Sequence, residues 1–233
     1  MVKDYLQLCR ISNLPTVWTN VLAACILAEG WFAWSNFFLL SLSFSCFYAA
    51  GMCLNDLWDA EADSRDRPAR PIPSGRVSTR GAAILAALLF ASALGMLSLA
   101  PYGRALPAGV LLMAVIIAYD RFHKRHPLSV LLMATSRLLV FIIASLAVTG
   151  TVGSLPAAAG GMQFVYVLII SLTARHEHDR RAPFPIPVVP LMISFISLLD
   201  GAVLAVAAAP GWLGAGVAGM AMTMAGQRFV RGD

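Results

Sequence analysis

Long apolar runs separated by short charged loops constrain this chain more than any single motif does. Runs over about 14–34, 37–57, 81–100, 105–120, 128–148, 162–175, 186–208 and 211–227 are each strongly apolar. A membrane-crossing helix needs roughly 20 such residues. In lipid the backbone N–H and C=O groups must be satisfied within the element, which favours helices for runs of this kind. The expectation is an all-α polytopic membrane bundle of about eight transmembrane helices, with residues 1–233 forming one domain. Charged residues make up 12% of the chain and hydrophobic ones 59%. A soluble domain carries about 25% charged residues, so a soluble globular enzyme is excluded. Disorder, which needs low hydrophobicity and high net charge, is excluded too.

The basic residues set the topology. Lys3 and Arg10 precede the first run, and Arg65, Arg67, Arg70, Arg76 and Arg80 follow the second. Arg121, Lys124 and Arg125 follow the fourth, Arg175, Arg180 and Arg181 follow the sixth, and Arg228 and Arg231 follow the last. Fifteen of the 17 Lys and Arg residues therefore fall on one side, leaving Arg104 in an opposite loop and Arg137 inside the fifth run. The positive-inside rule puts that side, and with it both termini, in the cytoplasm. The net charge of +5 is explained by this arrangement, and no nucleic-acid partner is expected. Cys9, Cys25, Cys46 and Cys53 have neither CxxC nor Cys/His metal spacing and read as small packing residues. Leu22-Ala23-Ala24-Cys25 has the form of a lipoprotein cleavage box, but cleavage there would delete half of the first span, so an uncleaved span is expected.

Four of the 12 acidic residues fall between Asn55 and Asp63, at the cytoplasmic end of the second run. If the helix continues, Asp56, Asp59 and Asp63 stand at i, i+3 and i+7 on one face, with Asn55 one turn before Asp59. Carboxylates at a helix C-terminus oppose the macrodipole and are poor choices for stability alone. Hard oxygen donors suit Mg²⁺, which keeps several waters and commonly takes phosphate oxygens as well. The loop that follows holds Arg67, Arg70 and Arg76 among prolines, with a Ser74-Gly75 turn. Arginine binds phosphate oxygens in bidentate fashion. Carboxylates for Mg²⁺ beside arginines for phosphate make a diphosphate-site composition. The plainer alternative, a basic stop-transfer loop, accounts for the arginines but not for the proline-rich turn.

The stretch from Asn55 to Arg76, reading Asn-Asp-x-x-Asp-x-x-x-Asp and then Arg-Pro-x-Arg-Pro-Ile-Pro-Ser-Gly-Arg, strongly resembles the UbiA superfamily of intramembrane prenyltransferases. The span layout is compatible with that family over nearly the whole chain. The family has nine helices, so the resemblance implies either a truncated chain or a short variant lacking the ninth. It also implies a bundle with a central cavity, in which Mg²⁺ on two Asp motifs holds an isoprenyl diphosphate. Diphosphate then departs, and an aromatic or lipid-like acceptor attacks the allylic cation. On that resemblance Asn55, Asp56, Asp59 and Asp63 form the first Mg²⁺–diphosphate set, and Arg67, Arg70 and Arg76 contact diphosphate. The implied partners are a prenyl diphosphate donor, an acceptor of unknown identity and membrane lipid. The implied location is a bacterial inner membrane, with the site facing the cytoplasm.

The second motif departs from the family pattern. Arg175 stands where its first carboxylate belongs, leaving Glu177 and Asp179 as a degenerate metal set beside His176 and His178. A diphosphate contact at Arg175 is the expectation there. In the loop after the fourth span, Tyr119 and Lys124 match the family's Tyr and basic residue near the diphosphate. Asp120 reads as orienting Lys124 at i, i+4, as an acceptor-side base, or as part of a loop ion pair. Asn13, ahead of Pro15, is an N-cap that also reaches the diphosphate on the family reading. Arg137 and Asp200 lie within spans, where charge is costly and usually faces a cavity or a partner. Arg137 is read as a deep cavity residue contacting the diphosphate. A narrower likeness, to UbiA-like proteins of the Ebo type, rests on Arg137 and the altered second motif.

Three rival functions have specific sequence requirements. A non-catalytic UbiA-like protein that binds or helps move an isoprenoid metabolite draws support from the altered second motif. A CDP-alcohol phosphotransferase would need an Asp-Gly-x-x-Ala-Arg signature, which the chain lacks. A transporter would carry charges along a path rather than gathered at one face.

Overall fold

The computed structural model describes residues 2–124, 126–179 and 187–230, without the side chains of His178 and Asp179. Among the described residues the fold is all-helical. The helices are α1 (Val2–Leu8), α2 (Leu14–Glu29), α3 (Trp34–Asp66), α4 (Thr79–Leu97), α5 (Ala105–Phe122), α6 (Ser129–Thr149), α7 (Ser154–Asp179), α8 (Val188–Ala207) and α9 (Leu213–Phe229). Seven of them, α2 to α8, are long and apolar enough to cross a membrane. The eighth apolar run forms α9, which has 17 residues and packs along α8.

Local signals set the helix ends. Pro15 occupies the first turn of α2, where its missing N–H is not needed. Gly30 and Gly150, at φ of 76° and 74°, end α2 and α6 in the left-handed conformation that glycine adopts freely. Ser78 caps α4 by accepting a bond from the Gly81 N–H at 3.0 Å. The sixth apolar run was expected to begin at 162, but α7 begins at Ser154. Gly160 and Gly161 weakened the apolar signal there. They stay helical because α7 packs hard on α6, where a Cβ at Gly160 would lie 2.9 Å from Leu138 Cδ1.

α2 is the axis of the bundle, touching α3, α6, α7, α8 and α9. Its apolar side joins Phe44, Phe47, Phe141 and Ile143 in the main core. Sequential helices also pack as hairpins, notably α3 on α4, α6 on α7 and α8 on α9. The last pair meets backbone to backbone: a Cβ on Gly201 would come within 2.6 Å of Gly216 Cα. Small residues at such crossings are how membrane helices gain van der Waals contact without a hydrophobic driving force.

The length of α3 positions the site. Its 33 residues span about 50 Å, against roughly 30 Å of hydrocarbon. The last turns, which carry the aspartates, therefore project beyond an apolar layer while remaining one rigid helix.

Candidate active site

Asp56, Asp59 and Asp63 share one face of α3, as their spacing requires. Their side chains are only 6%, 10% and 8% exposed. Three carboxylates so enclosed must be balanced by cations, and segments far apart in sequence supply them. Arg10 donates to Asp56 at 3.1 Å. Arg70 donates to Asp63 at 2.5 Å and approaches the same Asp56 oxygen at 3.4 Å. Lys124 Nζ lies 2.6 Å from Asp59 Oδ1, and His123 Nε2 lies 3.3 Å from Asp59 Oδ2.

The loop after α3 explains how Arg70 turns back. Backbone bonds from Ser74 to Arg70, from Gly75 to Ile72 and from Val77 to Pro71, each 3.0 Å, wind residues 67–77 into successive turns. Gly75 holds φ of 74° there. Ile72 and Val77 anchor the loop in a small core with Leu8, Cys53, Ala82 and Ala86. Arg76 closes it by donating to the Ala69 carbonyl, to Ser74 Oγ at 2.9 Å and to Asp4 at 2.8 Å. Arg76 thus ties α1 to the loop. Arg67, at the C-terminus of α3, is exposed.

The end of α5 forms the facing wall. Asp120 is buried and accepts from Asn55 Nδ2 at 3.2 Å. It does not orient Lys124 as the i, i+4 spacing suggested, because α5 stops at Phe122 and Lys124 crosses instead to Asp59. His123 stacks on Tyr119 with ring centroids 5.5 Å apart, and its Nδ1 lies 3.0 Å from the Asp120 carbonyl. The Asp59 carboxylate bonded to its imidazole raises the pKa of His123 above the usual histidine value.

Other expected site residues take different positions. Arg175 donates to the carbonyls of His123 and His126 at 3.2 and 3.4 Å, so it braces the loop that carries His123 and Lys124. Glu177 is half-buried near the end of α7, and the Asp179 side chain lies outside the described residues. Asn13 is buried, donating to the Tyr48 hydroxyl at 3.3 Å and accepting from Gln227 at 3.1 Å. Its side chain does not cap α2. Arg137 bonds within the helical bundle, to Asn20 and Thr16.

Two contributors have no sequence motif that marks them: Arg10 is only one of the basic residues that set topology, and His123 is a lone histidine beside Lys124. Nothing in the local sequence singles out Arg10, which sits at φ of 45° in a turn after α1. A non-glycine residue there is strained, and such strain clusters at functional sites.

The donor set suits Mg²⁺ chemically. Asp56, Asp59 and Asp63 offer hard oxygens on one face, and one oxygen of Asp120 is buried with no hydrogen-bond partner among the described residues. No three potential ligands among the described residues converge as a ready-made cage. Mg²⁺ does not require one, since it usually binds through one or two carboxylates together with substrate phosphates.

Comparison with known proteins settles the family. The model of the UbiA prenyltransferase family matches residues 15–230. This chain belongs to the UbiA prenyltransferase family. A digeranylgeranylglyceryl phosphate synthase from Sulfolobus acidocaldarius is 33% identical over 119 residues, covering 51% of this chain and 42% of that protein. One from Methanopyrus kandleri is 54% identical over 48 residues, 21% of this chain and 18% of that protein. The chain therefore spans less than half the length of these curated relatives in the matched regions. Two solved structures share the fold. A UbiA homologue from Archaeoglobus fulgidus, bound to DMAPP and Mg²⁺, aligns with a TM-score of 0.63 at 17% identity, over 94% of this chain and 86% of that one. A structure concerning digeranylgeranylglyceryl phosphate synthase in membranes aligns with a TM-score of 0.62 at 16% identity, over 99% and 96% of the two chains. At these identities the likeness shows the UbiA fold alone.

Proposed function

We propose that this UbiA-family chain is a Mg²⁺-dependent intramembrane prenyltransferase. It moves an isoprenyl group from a prenyl diphosphate to a small aromatic or lipid-like acceptor, at the cytoplasmic face of the cell's inner membrane. One observation carries the reading: three enclosed aspartates on one helical face are met by Arg10, Arg70, His123 and Lys124, drawn from three other segments. The match to the UbiA prenyltransferase family and the naming of relatives as digeranylgeranylglyceryl phosphate synthases support it.

Charge balance suggests how the residues act. Arg10, Arg70 and Lys124 now neutralise the aspartates. When a diphosphate arrives with its cations, the same side chains can turn from carboxylate to phosphate oxygens, for which Arg geometry is well matched. Mg²⁺ held by Asp56, Asp59 and Asp63, with Asn55 and Asp120 beside them, would supply charge neutralisation for the departing diphosphate. The allylic C–O bond breaks and its electron pair leaves with the diphosphate. Arg10, Arg70 and Lys124 stabilise the charge that develops there, and Tyr119 lines the same wall. The acceptor then forms the new bond to the allylic carbon and releases a proton. Asp120 is placed to receive it if the acceptor approaches from the α5 side.

The test is a transfer assay with radiolabelled geranylgeranyl diphosphate in membranes holding the full chain or its Asp59→Ala variant. Product from the parent and none from the variant is expected; equal product from both would end this mechanism. A second reading, a non-catalytic isoprenoid-binding protein, is favoured by Arg175 at a carboxylate position of the second motif. Mg²⁺-dependent donor binding without turnover on any acceptor would select it.

A further inference from the structure

Two of the four cysteines meet although they lie 44 residues apart in sequence. Cys9 stands in the turn after α1 and Cys53 within α3. Their sulfurs lie 3.6 Å apart in a thiol–thiol hydrogen bond. No other pair of cysteine sulfurs is so joined among the described residues. Cys25, buried in the main core, serves there as a small packing residue.

The two thiols differ in access. Cys53 is fully buried beside Leu8, Ile72 and Val77. Cys9 is partly exposed and forms part of the wall of an open groove of about 320 Å³. Tyr5, Leu6, Ile11, Ala49 and Leu89 make that wall mostly apolar, and Cys53 does not reach it. The hydrogen bond to Cys53 lowers the Cys9 pKa below the usual thiol value, against the opposing effect of burial. The thiolate is the reactive form of cysteine. A reachable thiol with a second one directly behind it is the arrangement from which a sulfenic acid passes to a disulfide.

The pair lies at the edge of the candidate active site. Arg10 follows Cys9 directly, Asp56 lies one helical turn after Cys53, and Arg10 donates to Asp56 at 3.1 Å. The turn after α1 is thus joined to α3 twice, once by sulfur and once by charge. Arg10 holds φ of 45° there, a strained conformation that persists only while its surroundings enforce it. With seven residues, α1 is too short to be stable by itself. The turn can therefore make the small shift that bonding between touching sulfurs requires.

We propose that Cys9 and Cys53 form an oxidation site, at which a hydroperoxide entering the groove converts the two thiols to a disulfide that clamps Arg10 on Asp56. The Cys9 thiolate attacks the terminal oxygen of the hydroperoxide. The O–O bond breaks, and the alkoxide leaves as an alcohol with the proton that Cys9 gave up. Cys9 is now a sulfenic acid. The Cys53 sulfur then attacks the Cys9 sulfur, the S–O bond breaks, and hydroxide leaves as water with the Cys53 proton. The two thiols have lost two electrons, and the hydroperoxide has gained them. The apolar wall favours a hydroperoxide carried on an organic chain over hydrogen peroxide. A disulfide in a reducing compartment is of the transient, redox-sensing kind, so a dithiol reverses it by exchange. The oxidation site stands apart from the prenyl-transfer reading. Its effect on donor binding rests on that reading, because Arg10 must leave Asp56 to take a phosphate oxygen.

The experiment treats the detergent-purified full chain with linoleic acid hydroperoxide or with hydrogen peroxide, then maps cross-linked peptides by mass spectrometry. A Cys9–Cys53 peptide that dithiothreitol removes is expected. The reagent that forms it faster identifies the source of the oxidant. Cys53→Ser should instead leave Cys9 as a sulfenic acid that dimedone traps. Isothermal titration with geranylgeranyl thiodiphosphate and Mg²⁺ reads the consequence. The oxidised parent should bind on the order of tenfold more weakly than the reduced one, the scale of one charge-assisted contact. Cys9→Ser should bind like the reduced parent, within about twofold, before and after treatment, which also shows that it is folded. The proposal is overturned if neither hydroperoxide yields the cross-link, or if Cys9 joins Cys46 on the same groove instead. It is overturned equally by donor binding that oxidation leaves unchanged, or by a loss that persists in Cys9→Ser. Absence of donor binding in the reduced parent counts against the prenyl-transfer reading, and the peptide map then decides the oxidation site by itself.

Discussion

The ends of α3 and α7 differ in how they carry charge. At the end of α3, three aspartates are enclosed and each is held by at least one cation. At the end of α7 stand Arg175 and a half-buried Glu177. Arg175 donates to the carbonyls of His123 and His126, on the loop whose side chains reach Asp59. The end of α7 thus braces the loop that serves the end of α3. The carboxylate face of α3 is surrounded by cations from the turn after α1, the α3–α4 loop and the α5–α6 loop.

Substitutions at the two ends should therefore differ sharply. Asp59→Ala should lower the transfer rate on the order of a thousandfold, the scale of losing a preorganised charge-stabilising group. Glu177→Gln, measured in the same assay, should stay within about threefold. Equal losses would break the contrast. Arg70→Ala leaves Asp56 and Asp63 buried without their shared cation, and should cost about 3 kcal/mol of stability in a denaturant titration in detergent. An unchanged midpoint would mean that the pairs are not enclosed as described. Arg175→Ala acts through the loop, so it should raise KM for the donor several-fold, on the order of 1 kcal/mol, with kcat less affected. The smallest effect belongs to Arg67→Ala: an exposed arginine at the helix end should leave donor affinity unchanged. A clear loss there would restore it to the diphosphate set.

The fold was largely legible because its causes are local. Runs of about 20 apolar residues and alternating charge locate the spans without any tertiary knowledge. The aspartate face was legible for the same reason, since i, i+3, i+7 spacing fixes a face wherever the helix continues. What could not be read is long-range. Arg10 lies 46 residues from Asp56 in sequence, and no pattern joins them. Lys124 is four residues from Asp120, but the helix ends between them, so the expected local pair gives way to a pair with Asp59. Asp200 and Arg137 were noticed as costly charges within spans. That Asn20 stands between them appears only when α2, α6 and α8 are packed together.

The central claim is that the α3 face binds a prenyl diphosphate through Mg²⁺. Isothermal titration of the detergent-purified chain with geranylgeranyl thiodiphosphate, first with Mg²⁺ and then with EDTA, tests it most directly. Binding with Mg²⁺ that EDTA abolishes and that Asp59→Ala removes is expected. Binding of equal strength in EDTA, or in Asp59→Ala, would contradict it.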